Sequence, residues 1–219
     1  MTITAQSIVA DAHTNLQDLD GTRWPASELV GYLNDGQRLL VTERPDINAV
    51  TAPFTLVAGS DQVLLPTQVA FIDITRNSGG KKRAIRKTDA DMLDAVLPNW
   101  RNGALTAEIV HFIHDTREPR SFEVYPPAVA DTQVELTASV LPVDVPAPTA
   151  PGLLASTVTG SIALHDEWKN PLLAYVLHRS YAKDAEFGGN AQLSAGWLSV
   201  FNGAIGKQLT ASTSVAPKS

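Results

Sequence analysis

Residues 164–189, LHDEWKNPLLAYVLHRSYAKDAEFGG, decide how this chain folds. Their spacing predicts one helix. Asp166 is placed to cap a first short turn, Asn170-Pro171 to start the next with proline at N1, and Gly188-Gly189 to stop it. Trp168, Leu172, Tyr175, Arg179 and Ala182 recur at helical spacing, and Leu173, Val176, Leu177 and Tyr181 widen the apolar arc beyond one stripe. A helix this apolar is packed on more than one side. It cannot stand alone in water, where each ordered residue loses ~1–2 kcal/mol of backbone entropy, so the chain must bring other helices to it.

Three other segments supply them. Thr2 or Thr4 caps a first amphipathic helix ending near Leu16, with Ala5, Ile8, Val9, Ala12 and Leu16 on one face. After a turn at 18–22, a second helix opens at Trp24-Pro25 and runs to about Arg44, where Pro45 ends it. Its inner face is Ala26, Leu29, Val30, Leu33, Gly36, Gln37 and Leu40. Gly36 within that face costs about 1 kcal/mol relative to alanine, so a second helix is expected to approach there. The last helix covers 190–209 with an apolar face of Leu193, Trp197, Val200, Phe201, Ala204 and Ile205.

Between the helix pairs the period switches from helical to alternating. Strands are expected at 54–57 and 62–65 as a hairpin about the turn 58–61. Further strands are expected at 69–75, 108–114, 121–125 and 133–140, with a short helix at 89–95 capped by Thr88. Residues 141–155 carry Pro142, Pro146, Pro148 and Pro151 and read as an extended, polyproline-like arm. The fold class is α+β: a four-helix bundle formed by the N- and C-terminal helix pairs, with an inserted antiparallel β-rich domain. The bundle takes 1–46 and 164–210, the insertion 47–163, and 211–219 is a flexible tail.

Composition narrows the function. In 219 residues there is no cysteine, so disulfides, zinc-thiolate sites and thiol nucleophiles are excluded. No signal peptide is visible, and no apolar run approaches the ~20 residues of a membrane helix. A formal charge of −6 argues against a protein that grips nucleic acid over a broad surface. No nucleophile elbow, Walker loop or zincin helix is present. The acids at 18–20 fail the calcium-loop register, because with Gly21 sixth the first and twelfth positions are Leu16 and Ser27. His111 and His114, three apart on a strand, point to opposite faces and cannot share a metal. The reading is therefore of a protein that is no enzyme and takes no cofactor or metal.

Three features remain, the first being the proline arm at 141–155, either a surface loop or a reach toward a neighbouring subunit. Residues 81–87, KKRAIRK, hold five basic side chains in seven, and Lys81, Lys82 and Arg83 are candidate contacts with an acidic partner or with phosphates. Arg179, on an apolar helix face, either snorkels or pairs with Asp35 or Glu28 of the second helix.

Two stretches resemble the head–tail adaptor (connector) proteins of tailed bacteriophages. One is Asp20-Gly21-Thr22-Arg23-Trp24 continuing through Glu28-Leu29 to Tyr32-Leu33-Asn34-Asp35-Gly36-Gln37-Arg38. The other is Asp166-Glu167-Trp168, Pro171-Leu172, Tyr175-Val176-Leu177, Arg179, Tyr181 and Lys183-Asp184-Ala185-Glu186. Val124-Tyr125-Pro126-Pro127 leading to Val134-Glu135-Leu136-Thr137 is similar too. The resemblance implies a structural virion protein at the head–tail interface, assembled in the bacterial host cytoplasm as a dodecameric ring. The ring would bind the portal above and a tail nozzle or tail protein below, with DNA passing through its lumen without specific binding. It also implies a C-terminal portal contact, which by position falls on Ile205, Leu209 and 210–219. The alternative from another class is a β-sandwich module for carbohydrate or peptide. Aromatic content of 6% leaves such a module few stacking platforms.

Overall fold

The computed structural model describes residues 3–149, 151–184 and 187–215, with side chains through Gly206. Five helices and seven strands are described: α1 (Ala5–Leu16), α2 (Ala26–Glu43), β1 (Ala49–Thr55), β2 (Gly59–Val63), β3 (Gln68–Asn77), β4 (Arg86–Lys87), α3 (Ala90–Val96), β5 (His111–Ile113), β6 (Ser121–Ala128), β7 (Gln133–Val140), α4 (Lys169–Lys183) and α5 (Asn190–Val215). They form two compact units. Met1–Arg44 with Pro142–Ser219 is helical, and Pro45–Leu141 carries the sheets and α3.

In the helical unit α4 is the hub, packing against α1, α2 and α5. The expected layout of two terminal helix pairs is thereby corrected. The apolar arc of α4 is too wide for one seam, and Leu172, Ala174, Tyr175, Val176 and Leu177 are buried around it. Gly36 is where α2 comes nearest: a β-carbon there would lie 2.8 Å from Tyr175 Cδ1.

Thr4 caps α1 as expected, whereas the later helix starts differ from theirs, α3 opening after Asp89 rather than Thr88. Thr4 Oγ1 accepts the Ser7 amide at the head of α1, and Thr2 lies outside the described residues. Pro25 is the N-cap of α2 rather than its first helical residue. The free amides of Ala26 and Ser27 donate to the Leu153 and Gly152 carbonyls, each at 3.0 Å. A 3₁₀ turn, Asp166–Trp168, runs straight into α4, so no break occurs at Asn170. Pro171 then sits in the first turn, where N–H groups lack helical partners anyway. Asp166 is not a cap; its Oδ1 accepts the Ile3 amide at 2.9 Å. Helix α4 ends at Lys183, before the two glycines expected to stop it.

Residues 142–163, expected within the insertion with the arm at 141–155, belong to the helical unit. Asn34 explains why. Its amide donates to the Val145 carbonyl and accepts the Val145 amide, both at 2.9 Å, as a neighbouring strand would. Gln37 Oε1 accepts Ala163 N–H at 2.8 Å. Val145, Val158, Ile162 and Leu164 are buried. Helix α5 continues to Val215, so the first part of the segment read as a tail is helical; residues 216–219 lie outside the described residues.

The second unit holds two sheets, ordered β1-β7-β3 and β2-β6-β5-β4. Strand β7 buries Val134, Leu136 and Ala138 on alternate positions, with β1 and β3 antiparallel on either side. In the other sheet β6 pairs antiparallel with β2 and β5, while the two-residue β4 runs parallel to β5. The expected hairpin of 54–57 with 62–65 does not form, because β1 and β2 lie in different sheets. Buried Gln62 replaces the missing ladder: Oε1 accepts Val57 N–H at 2.8 Å and Nε2 donates to the Val57 carbonyl at 2.9 Å. One apolar cluster draws on both sheets, with Phe71 stacked on Phe122 at 4.8 Å and tilted against Phe112 at 5.4 Å. A smaller cluster joins Leu93 of α3 to Trp100 and Ile113.

Candidate assembly surfaces

Six of the residues that carry the family resemblance, Glu28, Tyr32, Asp35, Tyr175, Arg179 and Lys183, form a polar seam between α2 and α4. Lys183 Nζ lies 2.6 Å from Glu28 Oε2, and Tyr32 Oη donates to Glu28 Oε1 at 2.6 Å. Arg179 lies over the Tyr32 ring at 4.9 Å, donates to Tyr175 Oη at 3.2 Å, and stands 3.4 Å from Asp35 Oδ2. Burial, reinforced by the Glu28 hydrogen bond and charge, pushes the Tyr32 phenol up to about 12, so it stays a donor. The Tyr175 contact, with the charge of Asp35 behind it, raises the Arg179 guanidinium further. Arg23, next to Trp24, pairs with Asp184. These side chains have partners within one seam, which makes it a clasp.

The turn before α2 is equally self-contained. Asp18 accepts the amides of Thr22, Arg23 and Trp24, the last at 2.8 Å. Its carboxylate is thus committed to the backbone. Trp24 Nε1 donates to the Ser180 carbonyl, and buried His13 Nε2 contacts the Trp24 carbonyl at 2.9 Å. Gly21 has φ +62°, and a β-carbon there would lie 2.1 Å from the Leu153 carbonyl oxygen.

Among the described residues three exposed surfaces bear on assembly. The first is the basic run. Lys81 and Lys82 are exposed beyond a turn in which Gly80 and Lys82 have positive φ, while Arg83 pairs with Glu108 at 3.1 Å. Lys81 and Arg83 border a cleft of about 670 Å³ that also includes Glu108 and Asp131. The second lies on the same unit, where Met92, Val96, Leu97 and Leu105 are exposed. Val96 and Leu97 line a groove of about 420 Å³ with Trp100, Tyr125 and Pro127. The third is the outer side of α5, with Leu193 and Val200 about half exposed. Ile205 is buried at 8% exposure, so it does not present its side chain there. Leu209 lies on α5, but its side chain is outside the described residues.

The histidines are held singly. His111 stacks toward Tyr125, and His114 packs on Phe71 with Nδ1 2.9 Å from the Ser121 carbonyl. His178 Nδ1 is 2.9 Å from Ser194 Oγ, which also donates to the His178 carbonyl; this ties α5 to α4. Among the described residues no group of three His, Cys, Asp or Glu could hold a metal, and no helix is long and apolar enough to cross a membrane.

Sequence reasoning missed the clamp on residues 142–163. Its signal was two amide side chains, Asn34 and Gln37, three apart on a helix and facing inward. It also missed the apolar surface of α3, whose helix is too short to show a pattern.

The sequence model of one family, described as SU10 adaptor protein, matches residues 3–218. No curated protein matches the chain.

Proposed function

We propose that this chain, which belongs to the SU10 adaptor family of phage head–tail adaptor proteins, works as one subunit of a ring between portal and tail. As a member of that family it is a structural virion component that associates with other phage head and tail proteins. The ring contains twelve copies, meets the portal on one side and a nozzle or tail protein on the other, and lets DNA through its lumen. Cyclic rings arise from head-to-tail contacts between two different patches of the same subunit. The single observation that carries this reading is the family match over nearly the whole chain. The exposed apolar surfaces on α3 and α5 support it, since large apolar side chains left open on a subunit mark protein contacts.

A rigid joint needs subunits that do not deform, and the seam of Glu28, Tyr32, Asp35, Arg179 and Lys183 supports that role. In the β-unit the rings of Phe54, Phe71, Trp100, Phe112 and Phe122 are buried, which disfavours a sugar-stacking module. The test is light scattering on the chain alone and mixed with the portal protein of the same phage. A mass step matching a ring on the portal is expected. A chain that remains monomeric at tens of micromolar portal would overturn the reading.

A further inference from the structure

We propose that residues 81–87 form a contact for the phosphate backbone of duplex DNA, independent of base sequence. Four cations of this run, Lys81, Lys82, Arg86 and Lys87, are exposed and have no ion pair among the described residues. The fifth, Arg83, is spent on Glu108.

The run is held stiffly. At its root Asn77 is buried and fully used: its amide donates to the Arg83 carbonyl at 3.0 Å and the Ile109 carbonyl at 2.8 Å, and accepts the Ile109 amide at 2.9 Å. The backbone closes above it, Asn77 N–H to the Arg83 carbonyl at 2.9 Å and Lys82 N–H to the Gly79 carbonyl at 3.1 Å. Arg76 anchors the adjoining strand through two 2.7 Å contacts with Glu135. Burying an amide costs stability unless every hydrogen bond is made, so this root is a built support. Further on, the run forms β4, an edge strand. Arg86 and Thr88 donate their amides to the Val110 and Phe112 carbonyls, which leaves the intervening Lys87 N–H on the open edge, where an anion can accept it.

The chemistry selects phosphate over an acidic protein. A protein interface needs an apolar centre, yet between 81 and 87 Ile85 is buried and the exposed apolar residue is Ala84. Phosphate contacts need only spaced cations and amides. The net charge of −6 does not cancel the patch, because charges more than ~8 Å away are screened at physiological salt. Three acids work against it: Asp131 and Glu108, which line the cleft beside Lys81, and Glu135, whose charge reaches Lys82.

Placing that DNA in the lumen of a ring rests on the adaptor reading; binding of duplex by the free chain does not. The experiment is fluorescence anisotropy of the full chain with a 20-base-pair duplex of arbitrary sequence. With four phosphates neutralised, at ~0.9 counterion per contact, affinity falls about a hundredfold between 50 and 200 mM salt. The variant Lys81→Gln/Lys82→Gln/Arg86→Gln/Lys87→Gln binds at least tenfold more weakly and loses most of the salt dependence. Lys81→Arg/Lys82→Arg/Lys87→Arg keeps both, and an unchanged thermal midpoint of the glutamine variant excludes misfolding as the cause. No binding at 50 mM salt, equal binding by the glutamine variant, or tighter binding to a polyglutamate peptide of equal charge would overturn the proposal. Ring formation on the portal is read separately by light scattering, so either idea can fail alone.

Discussion

Gly36 of α2 faces Tyr175 of α4 at a distance that leaves no room for a methyl group: a β-carbon would stand 2.8 Å from Cδ1 of the ring and 3.3 Å from Leu172 Cδ2. Glycine normally weakens a helix interior by about 1 kcal/mol relative to alanine. Here the close approach reverses that preference. Gly36→Ala is expected to lower stability by about 1–3 kcal/mol through overpacking. Gly31→Ala on the same helix, with open space around it, gains up to about 1 kcal/mol. Urea unfolding of the two variants checks the pair, and equal signs would refute the close-approach account.

Gly21→Ala is the more damaging change. It meets the Leu153 carbonyl oxygen at 2.1 Å and asks an L-residue to hold φ +62°. The left-handed conformation alone costs roughly 1–2 kcal/mol, and the displaced loop adds more. A thermal midpoint lowered by less than the Gly36→Ala shift would contradict this ranking.

Asn34→Ala removes the one side chain that satisfies both backbone groups of Val145. Each orphaned buried group costs about 1–3 kcal/mol. The expected result is lower stability together with faster protease cleavage between Pro142 and Thr149. Asn34→Asp keeps the acceptor and loses the donor, so it should fall between wild type and alanine.

Arg179→Ala is expected to cost about 1–2 kcal/mol. Its side chain is 38% exposed and that of Asp35 46% exposed, so the ion pair itself is worth no more than about 1 kcal/mol. The face-on contact with Tyr32 supplies the rest. A double-mutant cycle between Arg179 and Asp35 should therefore give a coupling below about 1 kcal/mol, and a larger value would show the ion pair to be the main contact.

Asp18 makes stability depend on acid. Partial burial pushes its carboxyl up, but hydrogen bonds from Trp24, Arg23 and Thr22 outweigh this and hold it below its ordinary 3.8. A carboxylate held lower in the folded state stabilises fully above its unfolded value, and that contribution disappears as pH falls through the folded value. Asp18→Ala should lower the thermal midpoint at pH 7 and narrow the difference from wild type toward pH 3. A gap that widens on acidification would contradict the assignment.

Much of the helical unit was legible because periodicity reports burial directly. Ala5, Ile8, Val9, Ala12 and Leu16 are the buried apolar face of α1, as their spacing indicates. Gly36 likewise announced a close helix. The hairpin failed for an equally plain reason. Alternation is the same whether two strands pair or turn a corner between sheets, and the deciding group, Gln62, bonds to backbone five residues away. The basic run was visible at once as charge, but its stiffness was not, since Asn77 acts through Ile109, 32 positions later.

By itself the sequence determined the element types, the buried faces and the family motifs, because these depend on residue spacing and identity along one segment. Tertiary structure alone decided that α4 is the hub, that β1 and β2 part company, and that residues 142–163 are clamped to α2. Those outcomes turn on side-chain amides reaching distant backbone, as Asn34 reaches Val145 across 111 positions. A hydrogen bond of that kind leaves no period in the chain.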